Sequence, residues 1–136
     1  MATPDGRKAG EPLSKNLCAV TAMDKKGITA LVHSVTKLDH SKFPNGSVLD
    51  FVLHPSAVAG EDGLTAFYGI LMTYFKKGGL AMHGNVFNAE DLKNAQKDPE
   101  RYKNLQVRVC GWNAYFVNLS RAEQDAFIRQ AETAAG

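Results

Sequence analysis

The spacing of apolar residues predicts two amphipathic helices in the N-terminal part of the chain. The first is short and ends near Lys37, with Thr29 or Asp24 serving its N-terminus. Its apolar positions are Ile28, Leu31, Val32 and Val35. The second is longer and is predicted over residues 62–77. Its broad apolar stripe is typical of a core or of a surface that binds a partner, and it consists of Leu64, Phe67, Tyr68, Leu71, Met72 and Phe75.

Two short strands are predicted on either side of the longer helix. The first ends before Pro55, because proline cannot donate to a strand ladder. Its apolar positions are Val48, Phe51 and Leu53. The second covers residues 80–87. A third helix is predicted directly afterwards over residues 89–97, with Asn88 as its N-cap.

The C-terminal part of the chain is predicted to contain two further strands and a last helix. Residues 105–109 alternate in polarity and residues 115–117 are apolar, so each stretch is typical of a strand. Gly111 therefore lies in a tight connection between them. Ser120 and Glu123 have the spacing of a capping box, which marks the start of a helix. The inward residues of that helix are predicted to be Phe127 and Ile128.

These elements predict one small α+β domain with short strands and three to four helices. The chain has 136 residues, of which 44% are hydrophobic and 22% charged, which is normal for a single globular unit. Residues 1–16 are rich in turn signals and predict an irregular arm, so the domain proper covers residues 17–136. Because the strands are few and short, we expect the domain to complete a sheet or barrel supplied by a larger partner.

Charge and hydropathy exclude two classes of partner. Sixteen Lys and Arg residues against fourteen Asp and Glu residues leave a net charge of +2 without a basic block, so the chain has no pattern for nucleic-acid binding. Its apolar stretches are far shorter than the roughly 20 residues of a membrane span. Residues 1–11 are polar rather than signal-like, and we expect a cytoplasmic protein.

The cysteines and histidines show no metal-binding pattern. Cys18 and Cys110 are far apart and lack CxxC spacing, which favours reduced thiols over a disulfide or a zinc site. The histidines have neither HxxxH nor HxH spacing and are interpreted as surface or core residues: His33, His40, His54 and His83.

The segment around Gly111 changes this picture. Taken alone, a glycine between two strands indicates only a backbone that needs positive φ or close contact. The run Val107-Arg108-Val109-Cys110-Gly111-Trp112-Asn113-Ala114-Tyr115-Phe116, however, resembles the signature of the glycyl radical enzymes. In that signature Arg-Val, one small residue, Gly and an aromatic residue precede an aromatic-rich strand. Residues 34–38 and 98–102 resemble further parts of the same domain, and the resemblance extends from about residue 3 to residue 132.

The resemblance implies the C-terminal, radical-bearing domain of a glycyl radical enzyme, similar to the pyruvate formate-lyase and glycerol dehydratase-like family. It implies that Gly111 carries the radical. The radical-loop residues that surround it are Arg108, Val109, Cys110, Trp112, Asn113 and Tyr115. No bound cofactor or metal is implied for this chain itself. Two partners are implied: a radical S-adenosylmethionine activating enzyme with an iron-sulfur cluster, and a large barrel subunit.

The cysteine that would exchange a hydrogen atom with the glycyl radical belongs, in this family, to the barrel. Neither Cys18 nor Cys110 stands in a matching loop, and Cys110 is interpreted as the small residue before the glycine. We therefore expect the chain not to be catalytic alone. It would serve an anaerobic lyase or acyltransferase whose substrate is determined elsewhere.

Glycine suits a backbone radical for a physical reason. An α-carbon radical is planar and delocalised into the neighbouring amides, and a side chain would oppose that planarity in a tight loop. Dioxygen destroys such a radical, so we expect an apolar wall around it. The residues expected to form this wall are Val109, Trp112, Tyr115 and Phe116.

The sequence leaves several roles open. The chain is either a radical subunit or domain that works with a barrel, or a spare part similar to the autonomous glycyl radical cofactor, which replaces the oxygen-cleaved end of pyruvate formate-lyase. A non-catalytic interaction module is the third reading. In that case the aromatic helix over residues 64–75 would dock on a partner, and Gly111 would be an ordinary turn.

Overall fold

The structure, a computed structural model, describes residues 1–11, 13–21 and 23–135. These residues form four α-helices and two two-stranded sheets, which confirms the predicted α+β class. The helices are α1 (Gly27–Val35), α2 (Gly60–Lys76), α3 (Ala89–Lys97) and α4 (Arg121–Ala134). The strands are β1 (Val48–Leu53), β2 (Ala81–Val86), β3 (Gln106–Val109) and β4 (Trp112–Tyr115). Short 3-10 helices cover His40–Lys42, Pro55–Val58 and Phe116–Asn118.

Strands β1 and β2 are parallel, and α2 is the crossover that connects them. The pairing runs from Val48 opposite Ala81 to Leu53 opposite Val86. Parallel strands need such a long connection, and their sheet is normally covered on both faces. β1 meets that expectation, because its buried side chains alternate between two cores.

The first core lies between β1 and the helices α1 and α2. Its buried members are Val32, Val35, Leu49, Phe51, Leu53 and Tyr74. Tyr74 is fully buried, and its hydroxyl donates to the carbonyl of Ala81 at 3.1 Å. A Cβ on Gly79 would lie 2.3 Å from the Tyr74 ring, so packing requires glycine at that position. The predicted inward positions of α1 are confirmed, since Val32 and Val35 are buried.

The predicted helix over residues 62–77 is confirmed as α2, and its apolar stripe divides between the core and the surface. Tyr74 points inward together with Phe67 and Ile70, whereas Leu64, Tyr68 and Phe75 are exposed. The stripe is so broad that apolar periodicity does not distinguish the two faces. The difference is made by Tyr74, whose ring is buried while its hydroxyl still finds an acceptor. The outer face of α2 is therefore an open apolar stripe in this chain.

The second core lies between the sheet, the β3–β4 hairpin and the helices α3 and α4. Its buried members are Val52, Phe87, Leu92, Ala95, Val107, Phe116, Phe127, Ile128 and Ala131. The predicted inward position of Phe127 and Ile128 is thereby confirmed. Gln124 is also buried, and its side-chain amide donates to the carbonyls of Phe116, Val117 and Leu119 at 3.1–3.4 Å. This amide ties the end of the hairpin to α4.

Two of the three predicted helix starts are correct. Asn88 caps α3, since its Oδ1 accepts the Asp91 N–H at 2.7 Å. Ser120 and Glu123 form the capping box of α4. The start of α1 was wrong: the capping position is Lys26, and no side chain caps it, so neither Asp24 nor Thr29 has that role.

The N-terminal arm is irregular. The described residues within 1–16 form turns, and the boundary of the domain after residue 16 stays a prediction. The N–H of Leu17 donates to the carbonyl of Val48 at 3.0 Å, which attaches the following loop to β1. Among the described residues, no helix is long and apolar enough to span a membrane.

Candidate functional site

Gly111 lies at the tip of the β3–β4 hairpin, in the tight connection that the sequence predicts. Val109 pairs with Trp112, so only Cys110 and Gly111 remain in the loop. Their φ angles are 45° and 103°, and two consecutive positive values are typical of the type I′ turn, which matches the twist of the flanking strands. A Cβ on Gly111 would meet nothing within 4 Å. The requirement for glycine is therefore conformational and not steric.

β4 begins earlier than the sequence predicts. The strand starts at Trp112, directly after the turn, and Phe116–Asn118 form a 3-10 helix in place of the predicted strand over residues 115–117. A two-residue turn reverses the chain at once, so pairing resumes at the next residue. Apolar content alone placed the strand three residues too late.

The predicted apolar wall around Gly111 is incomplete in this chain. Phe116 is fully buried and Val109 is half-buried, but Trp112 is 69% and Tyr115 45% exposed. Cys110 and Gly111 are exposed as well. The tip extends beyond the core. Apart from its chain neighbours, no described residue comes within 4 Å of the position that a Cβ on Gly111 would occupy. Trp112 and Tyr115 could form part of such a wall only with another surface covering them, and their role in it stays a prediction.

Arg108 and Asn113, two of the predicted loop residues, are brought together across the hairpin. They are paired in the β3–β4 register, and Nη1 of Arg108 donates to Oδ1 of Asn113 at 3.1 Å. Asn113 in turn donates from Nδ2 to Oε1 of Gln106 at 3.4 Å. These contacts lie on the exposed face of the hairpin, directly below its tip.

A second polar group reaches the hairpin from the parallel sheet. Asp50 and His83 are opposite each other in β1 and β2, with Oδ1 and Nδ1 separated by 3.1 Å. Nε2 of His83 lies 3.5 Å from Nη2 of Arg108. Because a guanidinium only donates, His83 accepts through Nε2 and donates through Nδ1 to the carboxylate. Asp50 also accepts from Nδ2 of Asn16 at 2.6 Å.

Asn85 makes a pair of hydrogen bonds to the backbone of the hairpin. Its Oδ1 accepts the N–H of Arg108 at 2.7 Å, and its Nδ2 donates to the carbonyl of the same residue at 3.0 Å. Sequence reasoning missed Asn85, Asp50 and His83 as parts of this site. One signal was available, because asparagine is depleted in strands and here interrupts an otherwise regular strand.

Both cysteines lie near the hairpin. Cys110 is exposed, Cys18 is half-buried, and both are free thiols. They line one cavity of about 30 Å³, together with Asp50 and Arg108, which has room for a water molecule. Burial raises the pKa of the Cys18 thiol. Within the described residues, no group of three or more His, Cys, Asp or Glu side chains is placed to hold a metal ion.

Nearly the whole chain is similar to known proteins. The family model described as "Glycine radical" matches residues 13–117. The 4-hydroxyphenylacetate decarboxylase glycyl radical subunit of Clostridioides difficile is 37% identical over 133 residues, which cover 97% of this chain and 15% of that protein. A solved structure on 1,2-propanediol dehydration in Roseburia inulinivorans matches with a TM-score of 0.86 and 41% identity, covering 95% of this chain and 15% of that one. The B12-independent glycerol dehydratase of Clostridium butyricum matches with a TM-score of 0.86 and 40% identity, covering 95% and 16%.

The chain thus spans about 15% of the length of the curated relatives that it matches. The matched fold corresponds to the C-terminal part of those large enzymes.

Proposed function

The chain belongs to the glycine radical family, and from that premise we propose that it stores an unpaired electron on the α-carbon of Gly111. The observation that carries this proposal is that the glycine of the Arg108-Val109-Cys110-Gly111-Trp112 run, in a chain that the glycine radical family model matches over residues 13–117, lies at an exposed hairpin tip with an open α-carbon. Six other described glycines share the positive φ and the open space, so these two properties permit the role but do not single out Gly111 without the motif. A radical site needs both, since a second protein must reach an α-hydrogen and the resulting radical must become planar.

The reaction at Gly111 is a pair of hydrogen-atom transfers. In activation, one Cα–H bond of Gly111 breaks and the hydrogen atom leaves with a radical derived from S-adenosylmethionine. In turnover, the Gly111 radical takes a hydrogen atom from a cysteine thiol of the enzyme body, so the S–H bond breaks, the Cα–H bond re-forms and the radical moves to sulfur. The protein groups around the turn hold the loop in place and take no part in the hydrogen-atom transfers.

A larger enzyme body is the proposed partner. Trp112 exposes much of its aromatic surface beside Gly111, and Tyr115 is partly exposed at the other end of β4. The outer face of α2 exposes Leu64, Tyr68 and Phe75. Exposed apolar patches of this kind mark interaction surfaces. A body that covers the hairpin would also complete the apolar wall that the chain provides only through Phe116 and Val109. The relatives are several times longer than this chain, which is consistent with such a body.

We propose a lyase reaction for the assembled enzyme. The similar proteins named above include a decarboxylase subunit and a glycerol dehydratase, and both activities cleave a bond of the substrate without net oxidation. The substrate would be bound by the enzyme body. The activating partner is proposed to be a radical S-adenosylmethionine enzyme that carries an iron-sulfur cluster.

Electron paramagnetic resonance tests the proposal directly. The chain is incubated anaerobically with a reductant, S-adenosylmethionine and an activating enzyme from this family. A doublet is expected, because the unpaired electron couples to the one remaining α-hydrogen, and it should collapse to a singlet when the glycines are deuterated. Gly111→Ala should abolish the signal. The matched control is Gly69→Ala, which changes an exposed glycine of α2 with open space around its Cβ position and should retain it.

Exposure of the activated chain to air gives an independent readout. Dioxygen should add to the radical and cleave the backbone at Gly111, releasing a fragment that contains residues 112–136. Mass spectrometry detects this fragment. Persistent silence with several activating enzymes that are competent on other substrates, and an intact chain after exposure to air, would refute the proposal.

A further inference from the structure

We infer that Asn85 is a positioning residue for Gly111: its side-chain amide holds strand β3 and thereby fixes the direction in which the hairpin tip points. This inference rests on the proposed radical role of Gly111. It concerns a residue on β2, outside the segment that carries the radical signature.

The hairpin leaves one backbone edge that must be satisfied from elsewhere. In an antiparallel pair, residues that exchange two hydrogen bonds alternate with residues whose N–H and C=O point outward. Val109 and Trp112 close the turn, so Arg108 is in the outward-pointing position next to them. Its N–H and C=O therefore face away from β4 and toward β2.

Asn85 hydrogen-bonds to both of these groups. A carboxamide has one donor side and one acceptor side, as a peptide group does, and Asn85 uses both on Arg108, at 2.7 and 3.0 Å. The β1–β2 and β3–β4 sheets share no strand pairing, so this side chain substitutes for a ladder between them. Asn85 is half-buried, which protects the two bonds from competition with water.

The position of this contact gives it leverage over the tip. The base of the hairpin is fixed by the burial of Val107 and Phe116, and Asn85 adds a contact to β2 nearer the turn. Arg108 lies between that base and the turn, three positions before Gly111. His83 lies two residues before Asn85 on β2. Its Nε2 accepts from the guanidinium group of Arg108. Together these contacts hold the tip at a constant angle to the core.

A fixed tip lowers the entropic cost of every encounter that Gly111 makes. Hydrogen-atom transfer requires reacting atoms within about 3–3.5 Å, so a loosely held turn must be ordered each time a partner binds. The apparent affinity of a partner for a site that is only partly in the competent conformation falls by the populated fraction. Loss of the Asn85 amide should therefore weaken recognition of the chain by its activating enzyme and leave the chemistry at saturation unchanged.

The variants are chosen to separate shape from hydrogen bonding. Asn85→Leu retains the branched shape of the side chain at Cγ and removes both hydrogen bonds to Arg108. Asn85→Asp keeps the acceptor for the Arg108 N–H and loses the donor to its carbonyl. Asn118→Leu makes the same change as the first variant at an exposed position and is the matched control.

Amide hydrogen exchange on the unactivated chain is the first measurement. In Asn85→Leu, the Arg108 amide should exchange at least tenfold faster, while the amide of Leu92 in the second core keeps its wild-type rate. Asn85→Asp should lie between the two. Unchanged protection at Arg108 would overturn the inference, and so would equal acceleration of Arg108 and Leu92, since that would identify Asn85 as a residue of general stability.

The rate of radical formation is the second measurement, followed by the paramagnetic resonance signal at increasing concentrations of the full chain. Asn85→Leu should raise the KM for the chain at least threefold with the maximal rate retained, and Asn118→Leu should match the wild type. Equal KM values would overturn the positioning role. A wild-type chain that forms no radical, with the localised exchange effect present, would refute the radical role of Gly111 and leave the structural contact of Asn85 intact.

Discussion

The two ends of the β3–β4 hairpin are built in opposite ways. At its base, Val107 is 2% exposed and Phe116 is fully buried. The side-chain amide of Gln124 donates to three carbonyls within residues 116–119. At its tip, the turn residues Cys110 and Gly111 and the adjoining Trp112 are open to solvent. The same two strands thus run from the centre of a core to an unprotected surface.

The difference separates the two demands on such a hairpin. The base provides the packing energy that keeps the strands in register, and the turn itself is held through Arg108 by Asn85 and His83 on β2. The tip can then be presented to one protein and covered by another without any change in the core. If base and tip are separate in this way, substitutions at the base should destabilise the chain most.

Phe116→Ala should destabilise the chain by about 3–5 kcal/mol, because it removes a fully buried aromatic ring from the second core. The free energy of unfolding in urea measures this loss. Trp112, next to the turn, is the matched control: it is 69% exposed, and Trp112→Ala should cost about 1 kcal/mol or less. Similar losses for the two variants would show that base and tip are not separate.

The two cysteines should differ at least tenfold in their rate of alkylation at neutral pH. Cys110 is exposed at the tip, whereas Cys18 is half-buried and its thiol pKa is raised, chiefly by burial. Since the thiolate is the reactive form, a raised pKa keeps Cys18 protonated and slow until the pH rises above the ordinary thiol value of about 8.5. Peptide mapping by mass spectrometry after brief exposure to iodoacetamide measures both rates. Faster modification of Cys18 than of Cys110 would contradict the exposure of the hairpin tip.

Ser120→Ala should cost about 1 kcal/mol through loss of the α4 capping box, which lies behind the base of the hairpin. The Ser120 hydroxyl and backbone N–H donate to Glu123 and hold the pKa of its carboxyl below the ordinary value. A lowered folded-state pKa contributes stability that is present above the ordinary glutamate value and is lost as the pH falls through the lowered value. The carboxyl is exposed, so this contribution is small.

Urea unfolding at several pH values tests the capping box. The stability difference between the wild type and Glu123→Gln should shrink as the pH falls from neutral into the acidic range. A difference that grows with acidity would contradict the sign. Amide exchange at the hairpin tip should not respond to either variant, because the box acts on the base alone.

Cys110→Asn should stabilise the chain slightly, by about 0.5–1 kcal/mol, and is the smallest effect expected. Cys110 has a φ of 45°, and asparagine tolerates this left-handed conformation better than other residues with a side chain. The exposed thiol contributes little packing that would be lost. Thermal unfolding measures the gain, and Cys18→Asn, which places a polar group at a half-buried position, should instead lower the midpoint.

Local pattern was sufficient for most of the fold. Helix α3 was predicted with its bounds and its cap, and the capping box of α4 was identified from two residues, because these features depend on neighbours in sequence. The sequence left open which part of the α2 stripe faces the core, since apolar residues on both faces remove the periodic contrast. The start of β4 was wrong because the geometry of a two-residue turn is not visible in hydropathy.

The candidate site divides in the same way. The residues from Arg108 to Tyr115 are contiguous, so a motif could identify them together. Asp50, His83 and Asn85 contact one another or Arg108 across sequence separations of 23 to 33 residues. Those contacts exist only because β1 and β2 are parallel and β3 packs beside β2. Nothing in the local sequence specifies that arrangement.

The pairing of Phe51 with Gly84 in the parallel sheet has a consequence for the evolution of this chain. A Cβ on Gly84 would lie 2.7 Å from the ring of Phe51, so the ring occupies the place of a side chain on the opposite strand. The two positions are therefore not free to vary independently. A side chain at position 84 requires the Phe51 ring to shift or a smaller residue to replace it, so in a descendant lineage a larger residue at 84 should often be accompanied by a smaller one at 51.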